Sequence, residues 1–384
     1  MSAPMSSMDF ESTTSISDKF LIGDALLERV KKIVDEDLAP QVLAIDREGI
    51  YPKEVMQKLG AAGAFRRHLP SLTEDGKAHF DEAMRAMAIV SRVCMNTGFT
   101  MWCQVTLAWY IEKSPNAEVR NKLLEKVACG EVLGGTALSN PMKHLSGIEP
   151  LKITATEVDN GFIINGTLPW VSNLGEDHWF ASIAAIDTDP TRKVMFAVDC
   201  SSPGFSLRQC AEFIALEGSQ TFACHYDNVF IPKECLIADP IPEYLQSIKA
   251  GFVFLQIGMG VGVIQACSDY MHEFNQSLSH VNCYLDYQTD ELDQDIKDYI
   301  AACDVLATEI GDSSDRFFVD ILKLRKTISE LSLKAGESAM LHGGARSYLH
   351  DSVAQRKLRE AYFVAMISPS IKHIRKEIDR LGYC

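Results

Sequence analysis

The segment that decides the fold is "GFIINGTLPWVSNLGEDHWF", residues 161–180. In it, β-branched and aromatic residues alternate with glycine, asparagine and proline, a texture typical of short strands joined by tight turns. The same texture recurs nearby in "KITATEV", "KVMFAVD" and "FACHYDNVFIP". The sequence therefore predicts a middle β domain over residues 134–240, built as an antiparallel barrel or sandwich.

Helical patterns flank this region on both sides. Apolar residues recur every three to four positions from Leu26 to Leu38, a run that Pro40 is expected to end. A second helix is predicted within "YPKEVMQKLGAAGAF", residues 51–65. We predict an α+β protein with a disordered tail and three domains. Their bounds are 1–18 for the tail, 19–133 for an N-terminal helical domain, 134–240 for the β domain and 241–384 for a C-terminal helical bundle.

Composition excludes several classes of partner. The 384 residues carry 37 Lys and Arg against 52 Asp and Glu, a formal charge of −15. Nucleic acids and anionic membranes need a basic surface, so neither is expected as a partner.

The longest apolar stretch, residues 251–266, is predicted to be a buried helix. The 11 cysteines are scattered without CxxC spacing, so we expect no metal site but free thiols in a reducing, cytoplasmic compartment.

Four segments carry a family resemblance: "GEVLGGTALSNP" (130–141), residues 161–180, "ALEGSQTFACHYDNVFIPKECLI" (215–237) and "GGARSYLHDSVAQRKLREA" (343–361). Together they resemble the acyl-CoA dehydrogenase superfamily over residues 20–384. The resemblance implies an N-terminal helical domain, a middle antiparallel β domain and a C-terminal four-helix bundle. It also implies an FAD-dependent oxidoreductase that assembles as a homo-oligomer, a dimer or a tetramer.

The resemblance assigns cofactor-binding roles to particular residues. Leu138 and Ser139 match the loop that contacts the flavin, and Ser146 matches a serine near the flavin pyrophosphate. Trp170 matches the aromatic wall of the flavin ring, and Ser172 matches a hydroxyl beside its N5 edge, where hydride arrives. The turn at Gly343 and Gly344 matches the late glycine pair of the family.

Two departures from the family pattern weaken the adenine side of the cofactor site. The segment "FNQSLSHVNCYLDYQTDELDQ", residues 274–294, lacks the arginine with which the family contacts FAD phosphates in a neighbouring subunit. Met340 stands where the family has a glutamine. FAD is therefore the first expectation for the cofactor, with FMN or an exchangeable reduced flavin as alternatives.

A third departure concerns the catalytic base. Alignment on Arg359 places Ser368 at the position of the glutamate that removes the substrate α-proton in most of the family. The alternative base position of some relatives falls near Phe252, and Glu243 is a fallback that needs a shifted alignment. A serine hydroxyl without a partnering base does not remove an α-proton near neutral pH.

Three functions remain open. The first is a monooxygenase or oxidase that uses reduced flavin from a separate flavin reductase, with His342 or His373 as a proton donor. The second is a dehydrogenase of an acyl-CoA or carrier-bound acyl thioester, with its base relocated to Glu243, Glu360 or His342. The third is a non-catalytic binding paralogue. The absence of a carboxylate at Ser368 favours the first, and the substrate is expected to be a small molecule or an acyl thioester.

Overall fold

The computed structural model of this chain describes residues 25–209 and 211–383, so the predicted tail over residues 1–18 lies outside the described part. The first described helices pack around a shared apolar interior. They are α1 (Ala25–Ile33), α2 (Val42–Glu48), α3 (Lys53–Ala61), α4 (Phe80–Val93), α5 (Met95–Lys113) and α6 (Ala117–Ala128).

The expectation that Pro40 ends the first helical run is wrong. The chain continues from α1 through a π-helical turn at Val34–Leu38 and a 3-10 turn at Ala39–Gln41 directly into α2. Pro40 lies in the first positions of the 3-10 turn. A missing backbone N–H is tolerated there because the first N–H groups of a helical turn have no partner within it.

The middle region forms one eight-stranded sheet in the order β6-β7-β3-β2-β4-β5-β8, with β1 paired to β4. The strands are β1 (Gly134–Thr136), β2 (Ile153–Val158), β3 (Gly161–Val171), β4 (Trp179–Ile186), β5 (Lys193–Asp199), β6 (Phe205–Arg208), β7 (Phe222–Pro232) and β8 (Leu236–Ala238). A short helix, α7 (Ser139–Leu145), separates β1 from β2. The inner face holds its own apolar core around Phe162, Phe180 and Phe196.

The sheet is antiparallel at five of its seven pairings, so the prediction of a purely antiparallel domain needs a correction. Strand β4 pairs in parallel with both β1 and β2. The α7 connection takes the chain away from the sheet after β1, and the hairpin β2–β3 then sends β4 back in the direction of β2. The longest ladder joins β3 to β7 and brings Trp170 and Phe222 to one end of the sheet.

Helices make up the rest of the described chain. They are α8 (Pro242–Leu255), α9 (Ile257–Asn282), α10 (Thr289–Ala307), α11 (Asp315–Gly343), α12 (Val353–Met366) and α13 (Ile371–Arg380). Their apolar faces join those of the N-terminal helices in one continuous core. The order of helices, sheet and helices confirms the predicted fold class.

Helix α9 lies at the centre of this core. The Cβ of any larger residue at Gly258 or Gly262 would come within 2.6 Å of the carbonyl oxygen of Met84 or 2.4 Å of that of Ala88, both on α4. Glycine at these two positions therefore lets the backbones of α4 and α9 approach closely. By length and apolar composition, the stretch Pro242–Asn282 satisfies the criteria for a membrane span, but its most apolar window is entirely buried in the protein. As predicted for residues 251–266, it serves as a core helix.

Candidate functional site

A cavity of about 930 Å³ opens between the sheet and the surrounding helices. Its volume lies within the range of small-molecule and cofactor sites, about 300–1,000 Å³. Residues of β3, α5, α7, α8, α12 and α13 line it. Its lining is predominantly apolar with a few convergent polar groups, as is typical of ligand sites.

Aromatic side chains from three helices close one part of the cavity. Phe99 stacks on Trp102 with ring centroids 5.9 Å apart, and Phe363 meets Phe99 edge-on at 4.6 Å. Phe252 of α8 packs edge-on against Trp102 at 5.3 Å. Cys103 also faces this part, and burial raises the pKa of its thiol far above neutral, so it is not a thiolate nucleophile. This apolar part suits an uncharged portion of a ligand.

The sheet contributes an exposed aromatic face and a row of hydroxyls. Trp170 lines the cavity near the end of β3 with 59% of its surface exposed, contacted edge-on by Phe213. Ser172 lies two residues further on, and its Oγ is 2.7 Å from Oγ1 of Thr221, which in turn is 2.8 Å from Oγ of Ser219. The two loops that carry these hydroxyls are joined by the Asn173 N–H, which donates to the Ser219 carbonyl.

Opposite this wall, two serines meet across elements far apart in the chain. The Oγ of Ser139, at the start of α7, is 2.9 Å from the Oγ of Ser368, in the turn between α12 and α13. Gln256 Nε2 donates to the Ser368 carbonyl at 2.8 Å, and its Oε1 accepts from the fully buried Arg325 guanidinium at 3.1 Å. Burial lowers the pKa of Arg325 to about 10. The group nevertheless keeps its charge at neutral pH, so the Ser368 turn is anchored to a buried cation.

Basic side chains gather where α13 meets α7. His373, only 5% exposed, places Nε2 2.7 Å from Oγ of Ser146, and Lys376 Nζ donates to the Ser146 carbonyl at 2.8 Å. Lys143 and Lys372 also line the cavity. Burial lowers the pKa of His373; Glu377 opposes this shift, whereas Lys143 and Lys376 add to it. His373 is thus neutral at pH 7, and the lysines supply the positive charge.

Neither expected base position holds an acid. Ser368 and Phe252 both line the cavity, as the alignment implied, and neither side chain is a carboxylate. Among the described residues that line the cavity, Glu149 is the one with a carboxylate side chain. Its Oε1 accepts from Asn140 Nδ2 at 2.9 Å and lies 3.8 Å from Lys143 Nζ.

The other relocated bases considered lie away from the lining. Glu360 is buried between Lys357, at 2.7 Å, and Arg356, at 3.4 Å. Glu243 is exposed in the first turn of α8. His342 is buried near the end of α11, where its Nδ1 contacts the Ser338 carbonyl at 2.8 Å and burial lowers its pKa. None of the three lines the cavity.

The structure brings together part of the predicted site. Ser139, Trp170, Ser172 and Ser368 line the cavity, and Ser146 lies directly behind His373. Leu138 is buried beside Ser139, with its N–H 3.4 Å from Oγ1 of Thr136. Gly343 and Gly344 lie with His342 at the end of α11 and outside the lining.

Sequence reasoning missed four charged residues of the lining: Lys143 and Glu149 in and after α7, and Lys372 and Lys376 of α13. The two lysines are four residues apart on one face of α13, a spacing visible in "SIKHIRKE", residues 370–377. Glu149 follows α7 in an irregular segment, and its neighbours in sequence carry no comparable signal.

Comparison with known proteins agrees with this architecture. The family model "Acyl-CoA dehydrogenase, N-terminal domain" matches residues 23–131. Isovaleryl-CoA dehydrogenase of Arabidopsis thaliana mitochondria is 26% identical over 272 residues, which are 67% of this chain. That match spans 65% of the relative's length.

Solved structures match along nearly the whole chain. Butyryl-CoA dehydrogenase from Megasphaera elsdenii superposes with a TM-score of 0.81 at 19% identity, covering 97% of this chain and 99% of that one. The prolyl acyl carrier protein oxidase AnaB superposes with a TM-score of 0.74 at 16% identity, covering 94% and 100%. At these identities the superpositions establish the fold. This chain is therefore similar to acyl-CoA dehydrogenases in its N-terminal domain, by the match over residues 23–131, and in its overall fold, by these superpositions.

Proposed function

We propose that this protein is a flavin-dependent oxidoreductase of the monooxygenase type. The observation that carries the proposal is the pair Ser368 and Phe252. Both line the cavity, the sequence alignment matches Ser368 to the usual base position of the family and puts the alternative position near Phe252, and neither residue is an acid. Reaction of a reduced flavin with O₂ needs no base for a substrate C–H bond, whereas α,β-dehydrogenation of an acyl thioester does.

The residues present fit a flavin. Trp170 offers an exposed aromatic face of the kind that stacks on a planar ring, and the hydroxyls of Ser172 and Thr221 lie beside it. The lysines near Ser146 suit the phosphates of the cofactor. When bound, the flavin supplies the redox chemistry, and the protein supplies the binding surface and the apolar part that excludes water. FAD is the cofactor we favour, with FMN or an exchangeable reduced flavin as the alternative.

Glu149 favours a second candidate, a dehydrogenase of acyl thioesters with a relocated base. It is the carboxylate of the described lining, and the relative from Arabidopsis thaliana is a dehydrogenase. Its Oε1 already accepts a hydrogen bond from Asn140 Nδ2 at 2.9 Å and lies 3.8 Å from Lys143 Nζ, so neighbouring side chains hold the carboxylate in place. This environment favours a structural role for Glu149 over proton abstraction.

The partners proposed are a small molecule or an acyl thioester as substrate, a separate flavin reductase and further copies of this chain. Helix α12 and the segment before it expose large apolar side chains, including Tyr348, Leu349, Tyr362 and Met366. An exposed apolar surface of this kind is typical of a protein–protein interface. It supports assembly as a dimer or a tetramer.

Two measurements on the purified protein test the proposal. Equilibrium dialysis with oxidised and reduced FAD tests for the flavin site, and we expect binding of at least one form; binding of neither would leave only the non-catalytic paralogue. Incubation of flavin-loaded protein with butyryl-CoA in D₂O then tests for a base, with mass spectrometry of the thioester. We expect no deuterium at the α-carbon beyond the protein-free control, and incorporation would overturn the monooxygenase assignment.

A further inference from the structure

We propose that Lys372 and Lys376 of α13, together with Lys143 of α7 and His373, form a binding site for the phosphate groups of the flavin within a single chain. The inference rests on the proposed flavin-binding function and adds to it the means by which the cofactor's phosphates are held. It concerns residues that the family resemblance did not assign.

The geometry comes from two helices that lie side by side along the cavity. Ser139 at the start of α7 meets Ser368 just before α13, and Ser146 just after α7 meets His373 and Lys376. From Ser139 to Ser146 the helical rise covers roughly 10 Å. A five-carbon ribityl chain with its phosphate ester spans a comparable length. A flavin ring near Ser139 and Trp170 therefore has its phosphates within reach of the lysines.

The charges at this end of the cavity are largely unpaired. Lys376 donates to a carbonyl oxygen and has no carboxylate partner within ion-pair distance in the described chain, and Lys372 has neither a hydrogen bond nor an ion pair there. Lys143 forms an ion pair with Glu149 at 3.8 Å. Glu377 accepts from Ser146 Oγ at 3.4 Å, and its charge is paired with Arg380. Arg359, which also lines the cavity, is by contrast engaged in a two-fold contact with Asp46 at 2.6 and 3.0 Å.

Lys372 and Lys376 have no carboxylate partner among the described residues, although the chain has a net charge of −15. Like charges repel, so lysines held together favour an anionic ligand that neutralises them. The first turn of α13 adds partial positive charge from its free N–H groups. Neutral His373 adds no charge. Its hydrogen bond with Ser146 Oγ fixes α13 relative to the end of α7.

This site would replace a phosphate contact that the sequence lacks. Residues 274–294 lack the arginine expected to contact the cofactor phosphates from a neighbouring subunit. Lys372 and Lys376 supply cations from the same chain that holds the ring. Phosphate binding then does not depend on a second subunit.

The test compares three flavins: riboflavin, which has no phosphate, FMN, which has one, and FAD, which has two phosphates and an adenosine. Affinities are measured by fluorescence titration for the wild-type protein and for the double variant Lys372→Gln, Lys376→Gln. Because each lysine makes a charge-assisted contact, we expect FMN and FAD to bind at least about tenfold more weakly to the variant. Riboflavin, which has no phosphate, is expected to change by less than about twofold.

The matched control is Arg375→Gln on the same helix. Arg375 is 65% exposed and paired with Glu330 away from the cavity lining, so its substitution removes one positive charge from the same helix, half the charge change of the double variant, without touching the site. We expect it to leave all three affinities unchanged. An equal loss for riboflavin, no loss for FMN and FAD, or the same loss in Arg375→Gln would each overturn the assignment.

The wild-type affinities distinguish failure of this inference from failure of the proposed function. If the wild type binds no flavin of any kind, the proposed function fails, and the assignment to flavin phosphates fails with it. If it binds all three flavins with equal affinity, the function stands and only the phosphate site fails. Titration with CoA completes the set: a loss of CoA affinity in the double variant with FMN and FAD unaffected would assign the lysines to a different phosphate ester.

Discussion

Ser368 is the residue on which the proposed difference from a dehydrogenase depends. Its hydroxyl contacts another hydroxyl, that of Ser139, and its carbonyl accepts from Gln256. Neither neighbour accepts a proton at neutral pH, so the serine has no base to activate it. Ser368 can orient a ligand through a hydrogen bond, but it cannot remove a proton from carbon.

Glu149 is the residue on which the alternative function depends. If it were the base of an acyl-thioester dehydrogenase, Glu149→Gln would slow substrate-driven flavin reduction by about 10²–10⁴-fold. We expect instead that Glu149→Gln leaves the rate at which reduced, protein-bound flavin reacts with O₂ within about threefold of wild type. Stopped-flow absorbance after anaerobic reduction measures that rate.

The control for Glu149 is Glu243→Gln, which removes the same charge from the exposed first turn of α8. It should match wild type in the same assay. Reduction of the wild-type flavin by an acyl thioester, slowed a hundredfold in Glu149→Gln but not in Glu243→Gln, would identify Glu149 as a base and contradict our assignment.

At the level of elements, the turn between α12 and α13 is held by helices α8 and α11. Gln256, where α8 passes into α9, donates to the Ser368 carbonyl, and Arg325 of α11 donates to Gln256 and to the Val364 carbonyl. All described neighbours that Arg325 contacts are neutral oxygens. A buried cation needs each of them, because a lost partner leaves charge unsatisfied.

We therefore expect Gln256→Leu to lower the free energy of unfolding by about 2–3 kcal/mol, since it removes partners from the buried guanidinium and from the Ser368 carbonyl. Urea denaturation followed by circular dichroism measures the change. Gln294→Leu is the control, because Gln294 makes an exposed contact to Asp298 on α10 and should change stability by less than about 0.5 kcal/mol. Equal effects from both substitutions would show that the Gln256 contacts do not stabilise the turn.

At the level of the whole molecule, the order of helices, sheet and helices was predictable because it depends on local patterns. Strand texture in residues 161–180 and helical periodicity on either side are visible in any window of the sequence. The parallel pairing of β4 with β1 and β2 could not be predicted from the sequence, because strand direction depends on how the α7 connection and the β2–β3 hairpin pack. The prediction that Pro40 ends the first helical run was wrong for a related reason, because the effect of a proline depends on its position in the helical turn.

The candidate site, like the fold, could be predicted only in part from the sequence. Ser139, Trp170, Ser172 and Ser368 were found because they belong to sequence motifs, and the fold brings them to one cavity. Lys143, Lys372, Lys376 and Glu149 were missed because a charged residue on a helix face or in a loop looks solvated until the packing of α7 against α13 is known. Gly343 and Gly344 belong to a motif as well, but within one chain they lie apart from the cavity.

The stability of the whole molecule should depend on pH through His68. This histidine is fully buried between Phe80 and Trp109, with its Nε2 2.8 Å from the Val105 carbonyl, and burial lowers its pKa to about 4. The unfolded chain takes up a proton near pH 6.5 but the folded chain only near pH 4. Stability is therefore complete above about pH 6.5 and falls as the pH decreases towards 4.

The measurement is urea unfolding at pH 7.5 and pH 5.0 for wild type and His68→Gln. Carboxylates that titrate in this range affect both proteins equally. We expect wild type to lose about 2 kcal/mol more than the variant between the two pH values. An equal loss in both would show that His68 is not held neutral by the fold.

Our central proposal is that this protein, with the fold of acyl-CoA dehydrogenases, binds a flavin but does not abstract an α-proton from an acyl thioester. Its most direct test is an anaerobic titration of the flavin-loaded protein with acyl-CoAs of short, medium and long chain, with the visible flavin absorbance as the readout and dithionite as the positive control for reduction. Our account predicts that dithionite bleaches the flavin band and that no acyl-CoA does. Bleaching by any of the thioesters would contradict it.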